Sequence, residues 1–368
     1  MRRMSVSELR PGMVLARDVP DGRGGILLRR GVQLNEAYIR SLVGRGYSWV
    51  YVSDDAADAI VVEELIQAYV RGSVPGVLRS LCETISPAGD EPGAEDAQVD
   101  YWTEMIEASL QEALSPEVVT VAARMAAFDV ALLNHGVEVA AVALWFAKRL
   151  GFGARSLIGL ARGCLLHDCG KSGLGAHLSI LPLLSDEQLQ ELQRHPLAGL
   201  HMARETRVED ETALDIIVQH HERQDGLGYP RGLRGSNAIT GERVSGYISL
   251  AAELASIADA FVMISALSLR QPPLPAPLIR KLLREMAGPI LNRELVSSFL
   301  AGATQMLIGL PVLVLEGKLA GQKGTIVRRN DAQGTITVRL ESQGAGQLRA
   351  WEVELPAAPG TAVEAMLV

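Results

Sequence analysis

Five of the seven histidines in this chain stand where they could ligate a metal: His135, His167, His195, His220 and His221. Two carboxylates, Asp168 and Asp259, join them. His167 and Asp168 are adjacent, near the end of a helix that Gly170 should stop. Consecutive side chains on a helix point about 100° apart, so both can reach one ion at a helix end. His220 and His221 are placed the same way, just before the glycine-rich turn DGLGYP. A set of several imidazoles with carboxylates suits Fe, Mn, Zn or Ni better than Mg or Ca. A lone histidine on an apolar helix is ordinarily a satisfied core residue, and an HD dipeptide alone says little. The weight lies in the order of the whole set: H, then HDxGK, then HP, then HHExxDGxGYP, then IAD.

The elements that must carry these residues are mostly helical. Aromatic residues make up only 4%, so Leu, Val, Ile and Ala fill the core, a mix that favours helices. Leu250, Leu254, Ile257, Phe261 and Ile264 form one apolar stripe. Thr212 and Asp215 predict a capped helix start, and Ser185 with Gln188 predicts another. Pro196 is expected to end that second helix just after His195. Before this region, MVLARDV and GGILLRRG read as short strands joined by DGRG, followed by a helix over about 35–42 and a strand at WVYV. The stretch 86–100 mixes Pro, Gly and acidic residues and reads as a linker. From about 306 the pattern turns into a small antiparallel sheet. The expected organisation is a small N-terminal regulatory module over 1–55, a helical and acidic linker region over 56–116, a metal-dependent helical domain over 117–305, and a β-rich segment over 306–368. The fold class is mainly α.

Composition bounds the chemistry. A net charge of −8 argues against binding a nucleic-acid polymer, so an anionic ligand would need a local basic cluster. The three cysteines, Cys82, Cys164 and Cys169, are few and odd in number, which points to a reducing compartment. Cys164 and Cys169 read as small apolar fillers near the metal site. MRRMSVSELRPGM lacks the apolar core of a signal peptide. Leu295–Leu315 carries no formal charge, but its Ser, Thr, Gln, Gly and Pro residues predict a buried helix followed by a strand, not a membrane span. The expected location is cytoplasmic.

The motifs HDCGK at 167–171, RHPLAG at 194–199, HHERQDGLGYPRGLRG at 220–235 and SIADAF at 256–261 resemble the HD-GYP domain, a subgroup of the HD phosphohydrolases. The resemblance covers roughly 117–316, and SVSELRPGMVLARDV is similar to the small module that often precedes this domain. It implies an HD-type helical bundle and hydrolysis of cyclic di-GMP to linear pGpG and onward to GMP, in bacterial second-messenger signalling. It implies two transition-metal ions, iron or manganese. His135, His167, Asp168 and Asp259 would hold one ion. Asp168 would bridge to a second held by His195, His220 and His221. Asp168 and Lys171 take the catalytic roles; Lys171, Asp225, Tyr229, Arg231 and Arg234 take the substrate. Signalling partner proteins and a homodimer are compatible with it.

The match has gaps. A family Glu that recruits a third metal is here Ala131. SGLGAHLSI replaces the usual segment after HDCGK and leaves Ala176 where an acidic residue is usual. About ten residues around 236–247 look inserted, Glu253 stands where Arg is usual, and ALSLRQPPLPAP replaces a basic segment. His177 and His201 fall outside the pattern and read as structural or surface residues. A second reading follows from these gaps: a weakly active or inactive domain that senses the dinucleotide or docks a partner protein. A third is an HD phosphohydrolase acting on another nucleotide.

Overall fold

The computed structural model describes residues 2–15, 19–20, 26–29, 32–47, 49–52, 55–85, 94–173, 185–239, 245–267, 274–344, 347–358 and 362–367. The chain divides into two compact units, Met1–Leu65 and Ile66–Val368.

In the first unit, β1 (Arg2–Ser5), β2 (Val19–Pro20), β3 (Ile26–Leu28), α1 (Glu36–Gly44) and β4 (Trp49–Val52) follow in order. β1 pairs antiparallel with β4, and β2 with β3. Met4, Val6, Leu15, Leu34, Leu42, Val50 and Val52 form its core. Asn35 caps α1, its Oδ1 accepting from the Tyr38 amide at 2.8 Å. Of the strand expected at MVLARDV, the described residues show bridges at Val14 and Leu15 and, from Val19, β2. The expected DGRG turn lies outside the described residues.

The second unit is mainly helical. α2 (Asp55–Ile85) leads into it, followed by α3 (Ala94–Ala113), α4 (Pro116–Phe128), α5 (Val130–Arg149) and α6 (Ala154–Leu166). A 3₁₀ turn at Cys169–Gly173 comes next, then α7 (Asp186–Leu192), α8 (His195–Glu205), α9 (Glu211–Gln219), α10 (Leu250–Leu267), α11 (Ala276–Met286) and α12 (Arg293–Leu300). The acidic stretch read as a linker is partly helix, since 94–100 open α3. Ser185 and Gln188 do form a capping box at α7. At α9 the cap is Asp210, whose Oδ1 accepts from Ala213 N at 3.1 Å, and not Thr212. Pro196 opens α8 rather than closing α7, which stops at Leu192; in a first turn its missing N–H costs nothing.

α5 is the centre of this unit. It packs against α6, α10, α4 and α3, and Val139–Ala147 are all buried. It is apolar enough to cross a bilayer by length and composition, with mean hydropathy 1.6, but 67% of that window is buried inside the protein, as in a core helix. Two glycines set the approach of the site-bearing elements. A Cβ on Gly136 would collide with the Leu165 carbonyl oxygen, so α5 and α6 meet backbone to backbone. A Cβ on Gly170 would collide with the His195 carbonyl oxygen and crowd the Gly199 nitrogen, so the 3₁₀ turn lies directly on α8.

After α12 come β5 (Pro311–Val314), β6 (Lys323–Asn330), β7 (Thr335–Gly344), β8 (Gln347–Pro356) and β9 (Val363–Ala365). They form one sheet in the order β8-β7-β6-β5-β9, antiparallel throughout. The sheet is tied to the α5–α6 corner: Gly153 N donates to Ala365 O at 3.1 Å, Ala365 N to Gly151 O at 2.8 Å, and Leu367 N to Ser156 Oγ at 3.0 Å. The helix and strand expected within Leu295–Leu315 are the end of α12 and β5.

Gly136→Ala should destabilise the protein by about 1–3 kcal/mol despite alanine's better helix propensity, because the added methyl must part α5 from α6. Gly72→Ala on α2, where nothing lies within 4 Å, is the control and should gain up to about 1 kcal/mol. Chemical denaturation of the two variants checks the contrast.

Candidate metal centre

The site is built where helix ends meet. α5 contributes His135 from its second turn. His167 caps the C-terminus of α6, and Asp168 follows it. His195 opens α8, His220 caps the C-terminus of α9 with His221 next, and Asp259 lies on α10. The close approach at Gly136 brings the His135 and His167 rings to 5.2 Å between centroids. The approach at Gly170 brings His195 Nε2 to 3.2 Å from Asp168 Oδ1.

Three imidazoles are fixed by backbone carbonyls. Nδ1 of His167 lies 2.7 Å from Cys164 O, Nδ1 of His195 2.8 Å from Leu192 O, and Nδ1 of His220 3.1 Å from both Ile216 O and Ile217 O. A carbonyl only accepts, so each Nδ1 carries the proton and each Nε2 is left with its lone pair. These lone pairs converge. His195 Nε2 and His220 Nε2 are 3.2 Å apart, and His167 Nε2 is 3.4 Å from Asp168 Oδ2. Asp168 Oδ1, buried between His195 and His220, has no hydrogen-bond partner. With these rings neutral, acceptors face acceptors in a buried pocket, an arrangement that a bound cation stabilises.

Ligand atoms of Asp168, His195, His220 and His221 lie within 4.8 Å of one another, as do those of His135, His167 and Asp168, so Asp168 belongs to both groups. Asp259 joins through His135, Oδ1 to Nε2 at 3.0 Å. Burial lowers His220 to about 4, and burial with the neighbouring His220 and His195 lowers His221 to about 2, so both are neutral at pH 7, as ligation requires. Burial pushes the Asp168 carboxyl up, but His167 and Lys171 outweigh it and hold Asp168 well below the usual carboxylate range. The cluster is a divalent-metal site.

The family model described as HD domain matches residues 132–264, a span that contains all seven of these residues. The chain carries an HD domain over these residues. The curated relatives include the Pseudomonas aeruginosa protein named cyclic di-GMP phosphodiesterase PA4108, 29% identical over 133 residues, 36% of this chain and 30% of the relative. A Thermotoga maritima protein named cyclic di-GMP phosphodiesterase is 29% identical over 140 residues, 37% of this chain and 34% of the relative. The chain therefore matches about a third of the length of these relatives. A solved structure described as Bd1817, a HDG"Y"P protein from Bdellovibrio bacteriovorus, aligns over 82% of this chain and 98% of its own, at 20% identity and a TM-score of 0.38.

The HD domain thus brings all seven expected ligand residues together. The other expected site residues are placed less uniformly. Lys171 Nζ lies 2.5 Å from Asp168 Oδ2, so its charge is directed at the shared carboxylate. The Tyr229 ring stacks on His221, centroids 4.7 Å apart and planes at 29°. Arg231 and Arg234 are exposed on the GYP loop. Asp225 is turned into the loop itself, paired with Arg223 at 2.5 Å and accepting from Leu227 N at 2.9 Å. Cys164 and Cys169 are buried, and burial pushes Cys169 up to about 12, consistent with inert packing residues. His201 is a surface residue beside Glu205, and His177 lies outside the described residues.

Sequence reasoning missed the groups that hold the loop. Glu222 is buried and accepts from Arg231 N and Leu233 N. Ser256 Oγ donates to His220 O at 2.9 Å. Glu253, noted only as a departure from the family's Arg, is buried and accepts from Gln224 Nε2 at 2.6 Å and Asn292 Nδ2 at 3.0 Å. Both amides are oriented by backbone: Gln224 Oε1 accepts from Asn237 N, and Asn292 Oδ1 caps α12. The signal for Glu222 was present in HHE, an acidic residue at a buried helix end.

Burial pushes Glu253 up to about 7 against the pull of its two amide donors. A folded-state value above the unfolded one means the folded protein holds the proton more tightly. Its stabilising effect is complete below the ordinary carboxyl range and is lost as pH rises to about 7. Glu253→Gln should remove a loss of stability on the order of 3 kcal/mol between pH 5 and 7.5. Urea denaturation of parent and variant across that range checks it, the histidines titrating equally in both.

Proposed function

We propose that this HD-GYP domain hydrolyses the phosphodiester bonds of cyclic di-GMP, giving linear pGpG and then GMP, at a centre of two metal ions. The observation that carries the reading is the buried meeting of His195 Nε2 and His220 Nε2 with the unpaired Asp168 Oδ1, beside His167 Nε2 at the other carboxylate oxygen. His135, His167, Asp168 and Asp259 would hold one ion, and Asp168, His195, His220 and His221 the other. The printed names of the curated relatives favour the dinucleotide as substrate. The imidazole-rich donor set favours iron or manganese. A cytoplasmic location belongs to the same reading.

When bound, the metals supply Lewis acidity, acidifying water and neutralising phosphate charge. The chain's own residues do the positioning. The carbonyls of Cys164, Leu192, Ile216 and Ile217 fix which ring nitrogen of His167, His195 and His220 faces the centre. Lys171 keeps Asp168 ionised and oriented, so its charge reaches substrate only through that carboxylate. Arg231 and Arg234, exposed at the rim, are the cations free to meet phosphate oxygens, for which a planar guanidinium is well shaped. Tyr229 braces His221 from the loop side and offers an aromatic edge to a base.

Asp168→Ala tests the reading. The parent should hold two transition-metal ions per chain and convert cyclic di-GMP to pGpG or GMP, resolved by chromatography. The variant should lose both ions while keeping its helical circular dichroism, and hydrolysis should fall by about three orders of magnitude or more. A fully metallated parent that binds cyclic di-GMP in calorimetry and releases no product over hours would instead mark a dinucleotide sensor.

A further inference from the structure

We propose that Glu222 is the positioning residue of the GYP loop, holding the chain that carries Arg231 at a fixed distance from the His220–His221 pair. Glu222 directly follows those two histidines and is 3% exposed. Its side chain reaches the backbone of residues 9 and 11 positions further on. Oε1 accepts from Arg231 N at 2.7 Å and Oε2 from Leu233 N at 2.8 Å, so each oxygen is bonded to a backbone donor. Charge-assisted bonds of this kind are among the stronger ones a protein makes. Its own amide is held by Gln219 O at 2.8 Å, which ties the carboxylate to the last turn of α9.

The rest of the loop is closed around this contact. Tyr229 N donates to His221 O at 3.2 Å. Gly228 lies so close that a Cβ there would come within 2.6 Å of both the Glu222 Cα and the His221 carbonyl oxygen. Residues 222–233 therefore form a ring joined at its base by the Glu222 carboxylate, with Gln224 N and Asp225 N donating to Ile290 O and Pro289 O beside it. Apolar packing does little to hold it: Leu227, at the tip, is 77% exposed. Because Glu222 grips amides and not guanidinium groups, the Arg231 side chain stays free for a ligand. A polar anchor at the base thus sets where the basic side chains stand relative to the metal pocket. The functional part of this inference rests on the proposed hydrolysis; the loop geometry does not.

The test is Glu222→Gln, with Glu222→Asp as the conservative companion. Glutamine keeps the size but offers one acceptor and sets its N–H₂ against the second amide. Expected in Glu222→Gln are a retained metal content, kcat for cyclic di-GMP within about threefold, and KM raised about tenfold or more. Hydrogen exchange should accelerate at the Arg231 and Leu233 amides and stay unchanged at the His220 amide, which is bonded to Ile216 O. Glu222→Asp should restore part of both effects. Loss of metal together with a collapse of kcat at unchanged KM would place Glu222 in the ligand site and overturn the proposal. Unaltered exchange at Arg231 and Leu233 in Glu222→Gln would overturn it too. If the parent itself leaves cyclic di-GMP intact, the hydrolysis reading fails, and faster exchange at those two amides still establishes Glu222 as the loop's anchor.

Discussion

The last turn of a helix leaves carbonyl oxygens without intrahelical partners, and this protein satisfies several of them with histidine rings. Cys164 O in α6, Leu192 O at the end of α7 and Ile217 O in α9 each receive an imidazole Nδ1, and Ile216 O, already bonded to the His220 amide, shares the last of these rings. One bond does two things. It finishes the helix, and it decides that Nε2 is the nitrogen without a proton. A metal centre needs unprotonated nitrogens pointing inward at fixed angles, and here the helix ends themselves provide them. Loss of a helix end would therefore lose a ligand's tautomer along with its position.

Charge is handled just as locally. The chain as a whole is acidic, with a net charge of −8, yet the chemistry proposed for it handles a phosphodiester. Lys171 is committed to Asp168, and Arg223 to Asp225. The exposed Arg231 and Arg234 are left on a loop whose backbone is held by Glu222, a buried carboxylate. Acidic residues near the pocket are thus structural grips on amides and cations, and they leave the guanidinium groups of the rim unspent.

The cluster of candidate ligand residues and the mainly helical fold were legible in the sequence because they depend on local order along the chain. HD and HH at helix ends, a glycine after each, and Asp259 on an apolar stripe need no tertiary information to be noticed. Helix boundaries were less legible. Asp210 outcompeted Thr212 as a cap because its carboxylate reaches Ala213 N, and Pro196 opened a helix because a first turn tolerates it. What could not be read were contacts across the fold. Glu253 was visible only as a residue out of place; its partners Gln224 and Asn292 are 29 and 39 residues away in the chain. Glu222 grips residues only 9 and 11 positions on, but the bonds exist because the loop folds back, and no periodicity encodes that.

The pairing of β9 with the α5–α6 corner gives the end of the chain a share in the centre. Ala365 is hydrogen-bonded on both sides, to Gly151 and Gly153, and Leu367 to Ser156, all at the start of α6, while His167 and Asp168 lie at its finish. α6 is thus a strut fastened at its near end by the C-terminal sheet and loaded at its far end by the ligands. Cutting the gene after α12 would remove that fastening. The metal-site end of α6 is thus one end of a beam whose other end is set in the sheet.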